Sequence, residues 1–384
     1  MKRCFAIACA ILLPGTACAQ QAAVRVDFDA RSVSATQVTG LADPATGRSV
    51  TADDPVRIAS VSKLVVALGV MRMVDAGTLS LDRDVSDYLD WRVRNPAYPD
   101  APITLRMLLS HRSSLTDGVD YAIPLGAAIK DSLAQPAAWD VGHAPGGYFR
   151  YANLNFPLIA TVMERVSGTR FDALMQRLVF VPLKLDACFN WTTCGDATIA
   201  RAVVLTDNKG IVRRDDLKGL RPRCPVVAAA DGTCDLSGYV PGTNGALFSP
   251  QGGLRISANG LAAIGQMMIG RGRGFLSRAS FRMLVTPLWH YDGANGDSEN
   301  GLWCRYALAV QTSGARSAGC NDDLFGDARA RIGHPGEAYG LRSGLWIDPR
   351  RKTGTAYFIT AVDDDAPRGT SAFTRAEGNL VRAK

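Results

Sequence analysis

Ser60-Val61-Ser62-Lys63-Leu64-Val65-Val66-Ala67-Leu68-Gly69-Val70-Met71-Arg72-Met73-Val74-Asp75 is the stretch around which the rest of the chain arranges itself. Val61, Leu64, Val65, Leu68 and Met71 recur at helical spacing, with Val70 and Met73 beside them, so the pattern predicts a helix over 60–75. Gly77, just past its end, is the residue type that most readily closes a helix in the left-handed conformation. A serine in the first turn has its Oγ in the positive field of the helix N-terminus. Lys63, three residues on, shares that face and can reach the hydroxyl. A lysine pressed into such a pocket loses hydration, its pKa falls, and it can act as a base. The motif alone is short, and a helix cap followed by a surface lysine would look the same.

Before this helix, Val24 to Phe28 and Val33 to Gly40 alternate like strands, with Asp29-Ala30-Arg31 as the turn between them. Asp43-Pro44-Ala45-Thr46-Gly47 is a second turn. From about Ser80 to Gly245 helical patterns alternate with long loops: a capped helix over 104–110, an amphipathic one over 153–167, another over 170–179. A further helix is predicted over 259–270, then strands over 303–311, 344–348 and 353–362, and a closing helix over 371–384. Early and late strands can share one sheet only if the middle segment loops out as its own lobe. A cleft between sheet and lobe is then the natural place for a site.

The first residues have the pattern of an export signal. Lys2 and Arg3 are the positive end, Cys4 to Leu13 the apolar run, and Ala17-Cys18-Ala19 the small-residue cleavage site, cut after Ala19. Lipidation at Cys18 is the alternative, and Gly15 stands where that would need a larger aliphatic residue. No later apolar run approaches the roughly twenty residues of a membrane span, so no stable membrane insertion is expected and the product is secreted or periplasmic. Cys188, Cys194, Cys224, Cys234, Cys304 and Cys320 remain after cleavage. In an oxidising compartment they predict the pairs Cys188–Cys194, Cys224–Cys234 and Cys304–Cys320, each closing a short loop worth about 2–3 kcal/mol. A zinc site is not indicated, since no CxxC occurs and none of the four histidines lies beside a cysteine. The net charge of +7 is scattered, with Arg213-Arg214 and Arg350-Arg351-Lys352 as its only clusters, which argues against nucleic acid as a partner.

Two further motifs bear on the serine. Tyr151-Ala152-Asn153 follows Pro145-Gly146-Gly147 and precedes a helix, where a loop tip can present a phenol. A phenol near an ammonium can relay a proton, and Asn153 can bond both Lys63 and a substrate amide. In Gly333-His334-Pro335-Gly336, Pro335 suits a sheet edge and Gly336 lets a substrate backbone approach. The N–H of Glu337, with that of Ser60, could form an oxyanion hole. Taken singly, each has a structural reading: a packed tyrosine, a capping asparagine, a turn histidine.

Together, Ser60-x-x-Lys63, Tyr151-x-Asn153 and His334-x-Gly336 resemble, in order and spacing, the motifs of the serine β-lactamase and penicillin-binding-protein superfamily. The nearest likeness is to class C β-lactamases, DD-peptidases of that type and related esterases. Arg57-Ile58-Ala59-Ser60-Val61-Ser62-Lys63, Gly77-Thr78-Leu79-Ser80-Leu81-Asp82, the segment Ile103 to His111 and Gly252-Gly253-Leu254-Arg255 carry the same resemblance. It implies an antiparallel sheet flanked by helices, in a mixed α and β fold. Residues 20–82 with 245–384 would form the sheet domain and residues 83–244 an all-helical second lobe. It also implies a serine hydrolase with an acyl-enzyme on Ser60, without cofactor or metal, acting on an ester, a D-amino-acid peptide or a β-lactam. His334 stands where most class C β-lactamases have lysine, which tilts the expectation to an esterase or DD-carboxypeptidase type. A class C-like β-lactamase and a non-catalytic penicillin- or cell-wall-peptide-binding protein are the alternatives. Lys352-Thr353-Gly354 imitates the usual third motif but lies beyond a turn, so it is read as a decoy. His111 is expected to cap or pack.

Overall fold

The computed structural model describes residues 21–315 and 317–383. The segment read as an export signal, with Cys18 and the expected cleavage site, lies outside the described residues.

The sheet is built from both ends of the chain. Eight antiparallel strands run in the order Trp289–His290, Arg305–Tyr306, Gln311–Ser313, Arg331–Ala338, Leu341–Asp348, Thr353–Ile359, Ala23–Asp29 and Val33–Thr39. In Ala23–Asp29 the alternation is strict, with Val24, Val26 and Phe28 buried. Successive residues of the central strands face opposite layers. Leu345, Ile347, Ala356 and Phe358 join the main core, which the helix Ala258–Ile269 helps to close. Trp346, Tyr357 and Ile359 face a smaller core completed by Phe373, Leu380 and Val381. The short C-terminal helix Arg375–Arg382, held by a Thr374–Glu377 capping box, supplies the last two of these.

The helix predicted over 60–75 spans Val61–Asp75, and Gly77 has the expected left-handed φ of 70°. Its surroundings are more extreme than an amphipathic stripe implies. Val61 to Met71 are all buried, and so is Met73. A helix apolar on every side is a core helix, and Lys63 is buried inside it.

Several boundaries differ from the sequence reading. The predicted strand over 303–311 breaks at Ala307, and its ends pair separately as Arg305–Tyr306 and Gln311–Ser313. Ala309 has φ 54°, which no strand tolerates. The helix Arg278–Val285 was not foreseen; it is only eight residues long, and Ser277 caps it. The middle segment is chiefly helix and loop, with Asn155–Ser167 its longest helix. It also contributes short strands: Cys188–Phe189 pairs with Leu254–Ile256, and Leu205–Thr206 with Val212–Arg214. Lys352 lies in the exposed hairpin turn before Thr353–Ile359, as the decoy reading requires.

The cysteines pair as expected: Cys188–Cys194, Cys224–Cys234 and Cys304–Cys320, with Cα separations of 5.3, 5.4 and 5.9 Å. No helix among the described residues is long and apolar enough to cross a membrane.

Candidate active site

Ala59 precedes the central helix with φ 46°, a left-handed conformation that costs a residue bearing a Cβ. This bend delivers Ser60 to the start of the helix, where its hydroxyl makes no capping bond and so stays available. No backbone bond among the described residues uses the Ser60 N–H.

Lys63 Nζ sits 2.9 Å from Ser60 Oγ, 2.8 Å from Asn153 Oδ1 and 2.9 Å from the Gln251 carbonyl. Three donors of an ammonium thus meet three acceptors. Burial lowers its pKa to about 7, while the carboxylates of Asp117, first, and Glu299 pull the other way. Near neutrality a large share of Lys63 is free amine in contact with the hydroxyl.

The phenol of Tyr151 comes from the far side. Its ring is stacked between the Trp303 indole, 4.5 Å away and 8° from parallel, and the His111 imidazole, 4.3 Å away and 26° from parallel. Lys63 Nζ lies 4.8 Å from the ring centre. Burial pushes the phenol well above its ordinary pKa, opposed in part by the Ser60 hydroxyl, so it stays a neutral O–H. Its oxygen is buried without a hydrogen-bond partner among the described residues. His111 packs as expected and does more: its Nδ1 accepts from the Ala152 N–H at 3.1 Å, which fixes the stacked ring.

Asn153 is not free to greet a substrate with its whole amide. Oδ1 is taken by Lys63, and Nδ2 donates to Asp117 Oδ2 at 2.9 Å. Asp117 also accepts from the backbone N–H groups of Asn153 and Leu154. It therefore holds the loop that carries both Tyr151 and Asn153.

His334 departs from expectation. It is fully buried, its Nε2 is 2.8 Å from the Tyr306 hydroxyl, and its Nδ1 is 2.5 Å from the Pro335 carbonyl. Burial, and then Lys63, lower its pKa to about 3. With both nitrogens engaged and no exposed surface, this neutral imidazole braces the wall instead of offering a hydrogen bond to a ligand. Gly336 has a definite role in packing: a Cβ there would meet the Ile58 carbonyl at 2.4 Å, Ser343 Oγ at 2.4 Å and Ser60 N at 3.2 Å. Ser343 Oγ donates to the same Ile58 carbonyl at 2.9 Å, tying the sheet to the turn that carries Ser60. Beyond Gly333 the strand has no partner on its outer side among the described residues, and Pro335, Gly336 and Glu337 border the open cleft. The Glu337 carboxylate pairs with Arg342 at 2.9 Å.

All of this opens on one cleft of about 1570 Å³ that holds Ser60, Tyr151, Asn153, Gln251, Trp303 and Glu337 on its walls. Sequence reasoning missed Asp117, Gln251 and Trp303. Gln251 contributes a backbone carbonyl, which any residue type carries, and the other two act only through contacts distant in the chain.

Residues 18–379 match the family described as Beta-lactamase. The chain belongs to the β-lactamase family. Among curated relatives, this family member is 31% identical over 167 residues to esterase EstB of Burkholderia gladioli, covering 39% of this chain and 42% of that protein. It is 32% identical over 140 residues to the D-alanyl-D-alanine-carboxypeptidase/endopeptidase AmpH of Escherichia coli K12, covering 34% and 35%. The matched stretches thus take in less than half of each relative. The fold is shared with the class C β-lactamase of Rhodobacter sphaeroides, at a TM-score of 0.66 and 16% identity over 94% of this chain and 92% of that one. It is shared also with the D-amino acid amidase of Ochrobactrum anthropi SV3, at 0.64 and 17% over 95% and 92%.

Proposed function

We propose that this β-lactamase-family protein is an exported serine hydrolase that forms an acyl-enzyme on Ser60, of esterase or D-amino-acid peptidase type. The observation that carries the reading is the 2.9 Å contact between Ser60 Oγ and a buried Lys63 whose pKa lies at about 7. Lys63, as free amine, takes the Ser60 proton as Oγ attacks the substrate carbonyl. The carbonyl oxygen becomes an oxyanion beside the N–H groups of Ser60 and Glu337. Tyr151 gives its phenolic proton to the leaving group and regains one from Lys63. Water then attacks the acyl carbon, its proton passes to the same pair, and Ser60 leaves with its hydroxyl restored.

His334, neutral and enclosed, supplies no fixed charge at the third motif. That favours esters and peptides over a β-lactam whose carboxylate needs a cation there. The names of the relatives, an esterase and a carboxypeptidase, agree with this choice. The three disulfides support export to an oxidising compartment. The division into a sheet domain of 20–82 with 245–384 and a lobe of 83–244 belongs to the same reading.

A fluorophosphonate probe is expected to label the wild type and not Ser60→Ala. Turnover of p-nitrophenyl esters, nitrocefin and a D-Ala-D-Ala peptide, compared in those two proteins, ranks the substrates. Labelling that survives in Ser60→Ala removes Ser60 from the role.

A further inference from the structure

The cleft contains a second buried cation that the chemistry at Ser60 does not use. Arg57 is 8% exposed and borders the cleft. Its Nε is buried without a partner, and no carboxylate pairs with it among the described residues. The other two buried arginines described are both neutralised: Arg255 by Asp215 at 2.7 Å, Arg342 by Glu337 at 2.9 Å. Asp215 acts on Arg57 only through space, with no ion-pair contact between them among the described residues. Its carboxylate already accepts from Arg255 Nε at 3.1 Å, Arg255 Nη2 at 2.7 Å and Trp191 Nε1 at 2.9 Å.

Tyr339 gathers two guanidinium groups over its ring, Arg57 at 5.1 Å and Arg214 at 4.8 Å from the centre. Arg214 also donates to the Tyr339 hydroxyl at 3.2 Å. The tyrosine occupies the hairpin turn between Arg331–Ala338 and Leu341–Asp348 with φ 55°, followed by Gly340 at φ 75°. Such a turn ordinarily takes Asn or Gly, and a bulky ring there is a backbone outlier of the kind that gathers at ligand sites. Burial, and then the repulsion of Arg255, lower the Arg57 pKa to about 10, with Asp215 opposing from a distance, so at neutral pH it remains a cation with no carboxylate in contact among the described residues.

We propose that Arg57, with Arg214 and Tyr339, is an anion subsite that takes a carboxylate carried by the substrate away from its scissile carbonyl. The proposal rests on the reading of Ser60 as nucleophile and adds a substrate class to it. An unpaired buried guanidinium is costly, and a ligand carboxylate would meet its planar fork with two parallel hydrogen bonds. Three residues of chain span at most about 11 Å, so one small substrate can touch both Arg57 and Ser60. Asp364 and Asp365, exposed on the rim of the same cleft, favour a single carboxylate over a polyanion.

The test uses two p-nitrophenyl esters of matched acyl length, the hydrogen glutarate and the neutral pentanoate. Wild type is expected to prefer the glutarate ester by about tenfold in kcat/KM, Arg57→Gln to bring the ratio near one, and Arg57→Lys to keep part of it. Equal rates on the two esters in wild type, or equal losses on both in Arg57→Gln, overturn the proposal. Calorimetric titration of Ser60→Ala protein with glutarate separates the subsite from the nucleophile. Binding that the added Arg57→Gln abolishes upholds the subsite whether or not Ser60 reacts, and binding that it leaves intact overturns it. Inorganic phosphate that displaces glutarate at equal concentration overturns the choice of carboxylate. If Arg57→Gln does not fold, the exposed Arg214→Gln serves instead: weakening of about threefold is expected, and an unchanged Kd for glutarate overturns the proposal.

Discussion

Three residues to either side of Ser60 stand two buried cations with opposite surroundings. Lys63 gives its donors to Ser60, Asn153 and the Gln251 carbonyl. Arg57 has a tyrosine ring and two other guanidiniums for neighbours, Asp215 reaches it only through space, and its Nε is unpartnered among the described residues. Burial drives both pKa values down, Lys63 to about 7 and Arg57 to about 10. The difference lies in where each value ends. Lysine reaches the range in which it exchanges a proton at physiological pH, and arginine stays charged. One end of the cleft is therefore finished for proton transfer, and the other lacks a counter-charge.

Removing the amine at the Lys63 end should cost the most. Lys63→Met should lower kcat/KM for an activated ester by about 10³-fold or more, because no other amine and no carboxylate among the described residues bonds to Ser60 Oγ. In the wild type, kcat/KM should rise with pH through a midpoint near 7, as Lys63 becomes free amine. Asp117 raises the Lys63 pKa, so Asp117→Asn should move that midpoint to lower pH. A midpoint that stays in place, measured with a substrate that does not itself titrate, means that the rising limb belongs to another group.

Arg255 sharpens the comparison, since it is a buried arginine that does have its carboxylate. Arg255→Gln strands Asp215 in the interior, and should cost about 3–5 kcal/mol of stability by urea unfolding. A loss under 1 kcal/mol would mean that Asp215 finds other donors, and would weaken the contrast with Arg57.

Gly336→Ala acts on both ends at once. The added Cβ meets a backbone carbonyl and the Ser343 hydroxyl at 2.4 Å, so the strand that leads into the Tyr339 turn must shift away from Ser60. A destabilisation of about 1–3 kcal/mol is expected, with kcat falling more than KM changes.

What the sequence made legible follows the range of the interactions. Ser60, Lys63 and the helix that holds them are read from spacing alone, because three residues make one turn. The disulfides were legible because each pair is near in sequence and the expected export implies an oxidising compartment. The sheet was legible as strands at the two ends, but the break at Ala307 was not, since it depends on tertiary pairing. Tyr151 could be named, yet its clamp between His111 and Trp303 could not: the three come from separate segments. The surroundings of His334 are hidden from the sequence for the same reason. Its motif places it on the strand, but only the fold reveals that Tyr306 and the Pro335 carbonyl occupy both nitrogens. Arg57 is the limiting case, because what matters there is a missing partner, and local sequence cannot report an absence.

That absence makes the smallest effect the most telling. If Arg57 is kept for a ligand, the free protein bears the cost of an unpaired buried charge, and Arg57→Met should raise stability by about 1 kcal/mol. The methionine keeps much of the apolar stem, so the gain isolates the guanidinium. If instead the stacking on Tyr339 holds the cleft together, the same substitution lowers the melting temperature. Glutarate separates these cases further. A ligand that neutralises Arg57 should raise the melting temperature of the wild type and leave that of Arg57→Met where it is. Stabilisation of both proteins to the same degree would place the anion elsewhere, and the two cations flanking Ser60 would no longer divide the cleft between chemistry and recognition.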